Sequence, residues 1–208
     1  GAVSLALRSA RRAAGDKGNL VWIEPAAGCD GLYPPALVQA GVRAQQVVVV
    51  RPASLCDAAW ACDQALRCRG VSAVLFFAGR KGRFDQRSSR LFQLAAEQGR
   101  TVGLLVRPFR PAAGAAGHSS RQIRVPDVGE AAFREAVRTF AAVQLWTECV
   151  DRPAGCGGRL CRICVLKTRE GRPVEPVWVE WGDETGDVSV HAVAGRRASN
   201  APGQLATA

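Results

Sequence analysis

The sequence predicts an α/β protein: a mainly parallel central sheet with helices on both faces and an antiparallel C-terminal extension. Three observations carry this. Short apolar, β-branched runs recur as LVWIE (20–24), VVVV (47–50), VSAVLFFA (71–78) and TVGLLV (101–106), the pattern of strands buried on both faces. Helical stretches alternate with them, and such alternation argues for a parallel sheet with right-handed crossovers. After about residue 140 the alternation gives way to consecutive strands, Ala142–Val150, Leu160–Lys167, Val174–Trp181 and Val188–Val193, broken by Gly/Pro turns; that pattern suits antiparallel pairing.

Taken in order, residues 1–14 place Val3, Leu5, Leu7, Ala10 and Ala14 at helical spacing with Arg8, Arg11 and Arg12 between them, an amphipathic helix. Gly15-Asp16-Lys17-Gly18-Asn19 ends it with turn chemistry. After the first strand, Pro34-Pro35 opens a short helix to Ala40, since proline is tolerated in a first helical turn. Ser54 caps a helix from Leu55 to about Arg69, with Asp57 near its positive end. Val71–Ala78 is the central strand, and a basic loop through Arg87 leads to a helix over Ser88–Gln98, closed by Gly99. Residues 109–120 are small and turn-rich, and a short strand at Gln122–Val125 and a helix at Glu130–Thr139 follow. The core is expected over residues 1–194 and a disordered tail over 195–208.

The chain has 208 residues, enough for one sizeable core. Lys and Arg total 28 against 18 Asp and Glu, a formal charge of +10 that is almost all Arg. Such an excess favours a polyanionic partner, nucleic acid before an anionic membrane. No apolar run is long enough to span a bilayer and no signal-peptide pattern opens the chain, so a cytoplasmic, nucleoid-associated protein is expected. The sequence contains no Met, so an upstream segment, or processing, is expected. Of the 8 cysteines, Cys149, Cys156, Cys161 and Cys164 are the tight set. One short Cys-x₂-Cys pair with irregular outliers is poor zinc spacing, and on a strand residues 161 and 164 face opposite ways; core and edge cysteines are expected.

A nucleotide site on this architecture needs a Gly-rich loop with a Lys at the first helix and an acidic residue at a strand tip. Gly1-Ala2-Val3-Ser4 stands at the first helix, and the central strand ends on Phe76-Phe77-Ala78, with no carboxylate before Asp85. One lost charge–phosphate contact costs several kcal/mol, so losing both the Lys and the Asp makes ATP hydrolysis improbable. His118 and His191 have no nucleophile at a strand–turn–helix elbow, which argues against a hydrolase triad.

The segments LVWIEPAAG…LYPPAL, VVVVRP, DAAWACDQALRCRGVSAVLFF and RLFQLAAEQGRTVGLLVRP resemble, in order, the strands and helices of the RecA-like ATPase core. Most closely they resemble its degenerate ImuA-type relatives, accessory factors of SOS mutagenesis; the RP endings and LYPPAL point that way. The resemblance runs over roughly Gly1–Val193. It implies a degenerate nucleotide site at Gly1, Ala2, Ser4, Glu24 and Phe77, with Ala2 in the Lys position, Phe77 in the Mg²⁺-Asp position and Glu24 two or three residues before the water-activating Glu. No ATP or Mg²⁺ is therefore expected.

It also implies DNA contact from two loops. The first holds Arg80, Lys81, Arg83 and Arg87 around Phe84; the second, with its flanks, holds Arg107, Arg110, Arg121 and Arg124. Cations suit phosphates and an aromatic suits a stacked base. The expected function is a non-catalytic accessory protein of DNA repair and translesion synthesis, binding single-stranded DNA, an error-prone polymerase subunit, or both. RecA and self-association are further partner options. The alternatives are an active ATP-dependent recombinase whose phosphate loop lies upstream, and a protein-interaction module whose Arg excess is compositional. Trp146, Trp178 and Trp181 of the terminal strands are expected in the core or on the sheet face, with Trp181, beside Gly182-Asp183, the one placed to meet a partner.

Overall fold

The computed structural model describes residues 1–25, 31–78, 86–107, 139–150, 159–169, 176–182 and 188–191. The first half alternates as expected: α1 (Ala2–Ala14), β1 (Asn19–Ile23), α2 (Pro34–Gln39), β2 (Val47–Val50), α3 (Leu55–Arg67), β3 (Val71–Phe77), α4 (Gln86–Gly99) and β4 (Val102–Val106). These four strands pair in parallel in the order β2-β1-β3-β4. The runs of β1 and β3 are uninterrupted because both their faces are covered, whereas the edge strands β2 and β4, expected to be buried as well, leave Val48, Val49, Val102 and Leu105 exposed. On one face Leu20, Trp22, Ala73 and Leu75 meet Ala6, Leu7, Ala10 and Ala14 of α1 and Leu37 of α2. On the other, Val21, Ile23, Val74 and Phe76 meet Ala58, Cys62 and Leu66 of α3 and Ala95 of α4.

The second half is β5 (Val143–Val150), β6 (Arg159–Thr168), β7 (Val177–Trp181) and β8 (Val188–His191), antiparallel in that order. It does not extend the parallel sheet, as the sequence led us to expect, but forms a sheet of its own. The reason lies in α1, which serves both sheets: Leu5 packs against the Cys161, Val179 and Trp181 cluster, and the Arg8 guanidinium lies 5.3 Å from the centre of the Trp181 ring. Val3, expected to face the core, is therefore exposed at the helix start, and Ala6 takes an inward place. Trp181 is correspondingly buried rather than offered to a partner.

Local chemistry explains most boundaries. The Ser54 hydroxyl accepts a 3.1 Å bond from the Asp57 amide and donates at 2.7 Å to its carboxylate, a reciprocal cap for α3. Asp63 and Arg67 pair one turn apart on that helix at 2.8 Å, and the bond to Asp63 raises the Arg67 pKa. Gly99, expected to close α4 from outside, is its last helical residue, and the left-handed position passes to Arg100 at φ 57°. Glycine is required there for another reason: a Cβ at 99 would run into the Leu66 carbonyl where α4 crosses the end of α3. Burial, then Asp63, pushes the Cys62 thiol up to about 12.

Cys149 and Cys161, opposite one another on β5 and β6, are joined in a disulfide, against the expectation of unpaired core and edge cysteines. Adjacent strands bring directly facing residues within bridging distance, whereas sequence spacing of 12 says little about such pairing. Cys161 faces α1 while Cys164, opposite Trp146, belongs to the other face, as the strand period requires. Among the described residues no group of His, Cys, Asp and Glu gathers as for a metal, and no helix is long and apolar enough to cross a membrane. The strand expected at 122–125, the helix expected over 130–139 apart from Thr139, which is described and not helical, and the tail over 195–208 lie outside the described residues.

Candidate functional site

In a parallel sheet the carboxyl ends of the strands and the starts of the helices share one edge, where ligands of open α/β sheets bind. Here that edge carries Glu24 and Pro25 after β1, Arg51 after β2, Ala78 after β3 and Arg107 after β4. The first turns of α1 and α4 lie there too, with Gly1 and Arg87.

Glu24 is the buried charge of this edge, with 4% of its side chain exposed. One carboxylate oxygen accepts a 2.7 Å bond from the Trp22 indole, and the other meets the Arg51 guanidinium at 2.6 Å. Its backbone amide continues the ladder by donating to Val50 at 3.0 Å. Both oxygens are thus committed to holding Trp22 and Arg51, and a carboxylate so held is a structural anchor for β1 and β2 rather than a base for water. Phe77 stands on the same face of the sheet and stacks on Trp22, with ring centroids 4.1 Å apart at 29°. The strand-tip position where a metal-binding carboxylate was sought is therefore aromatic packing.

Gly1 caps α1 without a side chain, and the space in front of it belongs to the second sheet. A Cβ at Gly1 would stand 2.5 Å from Cys149 Sγ, 3.3 Å from Cys161 Sγ and 3.7 Å from Thr147 Oγ1. A helix start that cradles phosphate needs open backbone amides, whereas this one is abutted by a disulfide. Ala2 and Ser4 lie exposed in the first turn. The residues read as a degenerate nucleotide site do fall on one edge, but Glu24 and Phe77 are bound into the core around Trp22 while Gly1 meets the β5–β6 hairpin.

Of the basic residues, Arg87 and Arg107 are described, and both are exposed on this same edge. Arg87 sits in the first turn of α4, which begins at Gln86, and so is helical rather than part of the preceding loop. Arg80, Lys81, Arg83, Phe84, Arg110, Arg121 and Arg124 lie outside the described residues. Sequence reasoning missed two members of the rim: Arg51, bound to Glu24, and Arg90, whose guanidinium lies 5.2 Å from the centre of the Phe140 ring. A signal for Arg51 was present in Arg-Pro directly after a strand, the ending shared with Arg107-Pro108; nothing local announces the Arg90–Phe140 contact, which joins residues 50 apart in the chain.

No protein-family model matches the chain, and no curated protein matches it. Among solved structures, the crystal structure of SulA from Pseudomonas aeruginosa is similar with a TM-score of 0.41 and 18% identity, covering 50% of this chain and 85% of that one. A match so slight carries no argument about fold or function.

Proposed function

We propose that the chain is a non-catalytic accessory protein of DNA repair, built on a RecA-like core, that lays the carboxyl edge of its parallel sheet against single-stranded DNA beside an error-prone polymerase subunit. The observation that carries this reading is the division of labour on that edge. Its buried carboxylate is spent on Trp22 and Arg51, while Arg87 and Arg107 stand exposed at the starts and ends of adjoining elements. An edge with cations outward and its acid turned inward suits a phosphate backbone. The formal +10 charge acts in the same sense over a longer range. The resemblance of the strand-and-helix segments to ImuA-type proteins supplies the polymerase partner, and the disulfide against Gly1 favours a scaffold over an ATPase.

The test is fluorescence anisotropy of labelled single-stranded DNA across a salt series, with ATP turnover measured on the same protein. Affinity should fall steeply with salt, and Arg87→Ala with Arg107→Ala should weaken binding and flatten the slope by roughly one unit per lost phosphate contact. Turnover that depends on Ser4 would establish the ATPase alternative. DNA affinity unchanged in the double variant, at every salt concentration, would favour a protein-interaction module instead; Trp60, 68% exposed on α3, is the residue such a module would use first.

A further inference from the structure

The amino ends of the parallel strands lie opposite the carboxyl edge, and the starts of β3 and β4 frame a cavity of their own. It measures about 430 Å³, within the range of small-ligand sites. Ala13 from the last turn of α1, Val71 and Ser72 at the start of β3 and Val102 at the start of β4 form its walls, and Arg69 and Arg100 line it from the turns that enter those two strands. None of these residues belongs to the carboxyl edge.

Among the described residues neither Arg69 nor Arg100 meets a carboxylate, whereas Arg11, Arg51, Arg67 and Arg169 each have one. The acids near this edge are already used: Asp16 by Arg11 at 2.7 Å, Asp63 by Arg67 at 2.8 Å, and Glu97, one turn before Arg100, by Arg169 at 3.4 Å. Arg12, beside Ala13, and Lys17, beside the Gly18 that abuts Ser72, are exposed and add charge of the same sign. Carbonyls that would repel an anion are occupied as well. Gly70 accepts from the Asn19 side-chain amide at 3.0 Å, Val71 from the Thr101 hydroxyl at 2.9 Å and Ala14 from the Gly18 backbone amide at 2.8 Å. Positive charge without a counter-charge, set around a partly apolar cavity, suits an organic anion.

The backbone of Arg100 points the same way. Its φ of 57° is the one positive value outside glycine among the described residues, a conformation that a bulky side chain adopts only where the surrounding structure imposes it, as happens at ligand sites. Glycine would make this turn freely. The ordinary duty of an arginine at a helix end, to answer the terminal carbonyls, needs no such backbone: Arg11, Arg12 and Arg67 perform it within the last turns of α1 and α3.

We propose that this cavity binds a phosphate monoester carried on a small organic body, with the phosphate oxygens between the guanidinium groups of Arg69 and Arg100 and the body against Ala13, Val71 and Val102. The planar fork of arginine matches phosphate oxygens two at a time. Two sources carry such a group, a free nucleotide and the phosphorylated 5′ end of a DNA strand. The site is separate from the edge proposed to lie along single-stranded DNA and stands or falls without it.

Amide NMR shifts of the chain, titrated with deoxyadenosine monophosphate, read the site directly. Residues 69–72 and 99–102 should shift saturably with half-saturation below about 1 mM, and Arg69→Gln should weaken binding at least about tenfold. Arg100→Gly removes the guanidinium while relaxing the backbone, so it should weaken binding as much and leave the melting temperature unchanged or raised. Oligothymidine bearing a 5′ phosphate that shifts the same amides assigns the ligand to a strand end; action of the mononucleotide without that of the oligomer assigns it to a free nucleotide. No shift at these amides with either ligand overturns the proposal. So do equal shifts from the oligomer lacking its phosphate, equal shifts from chloride at matched ionic strength, and undiminished binding in Arg100→Gly.

Discussion

The two sheets are held by different physics. The parallel sheet is sandwiched: α1 and α2 cover one face, α3 and α4 the other, and its central strands bury consecutive residues from Ala73 to Phe76. The antiparallel sheet has one face against α1, and its own buried cluster is Cys161, Val179 and Trp181. A disulfide between β5 and β6 and one arginine stacked on Trp181 supplement that small core. Burial on two faces makes a strand independent of any single contact, whereas a sheet whose buried cluster among the described residues is this small depends on a few specific ones.

Perturbations of increasing subtlety can break or sharpen that contrast. The largest effect is expected at Gly99→Ala, where the new methyl meets backbone at Leu66; the α3–α4 crossing must open, costing about 3 kcal/mol in denaturant unfolding. Reducing the Cys149–Cys161 bridge releases a loop of a dozen residues and should cost about 2–3 kcal/mol. Hydrogen exchange should show that loss in β5–β8 while β1–β4 keep their protection; uniform loosening would mean that the two sheets unfold as one unit. Glu24→Ala leaves the Trp22 indole without its acceptor and Arg51 without its partner, with an expected loss of about 2 kcal/mol and a change in tryptophan fluorescence.

The smallest effect is one of pH. Folding holds the Cys62 thiol up to about 12 from an ordinary 9.0, so above pH 9 the unfolded chain gives up a proton that the folded chain keeps. Stability from this group is full below pH 9 and declines as pH rises from there toward 12, by roughly 1 kcal/mol per unit. Equilibrium unfolding at pH 8 and pH 10 should show the decline in the native chain and a shallower one in Cys62→Ala.

The parallel half was legible because its signals are local. Val47–Val50 announces a strand and Ala73–Ala78 a buried one by themselves, Ser54 announces its helix start, and Pro34-Pro35 announces another. The antiparallel half was legible as strands but not as a separate sheet, because which strands pair depends on distant contacts such as those of Leu5 and Arg8 with the Trp181 cluster. The candidate site divided in the same way. That Ala2 and Phe77 are apolar could be read directly, whereas the commitment of Glu24 to Trp22 and Arg51 required residues from different strands to meet.

Sequence alone determined the alternation, the covered faces of the central strands and the helix caps, since each depends on side-chain period or residue type within a few positions. Tertiary structure decided the split into two sheets, the disulfide in front of Gly1 and the need for glycine at Gly99. Each of these arises where distant segments come within a few ångströms, and chain spacing carries no record of such approaches.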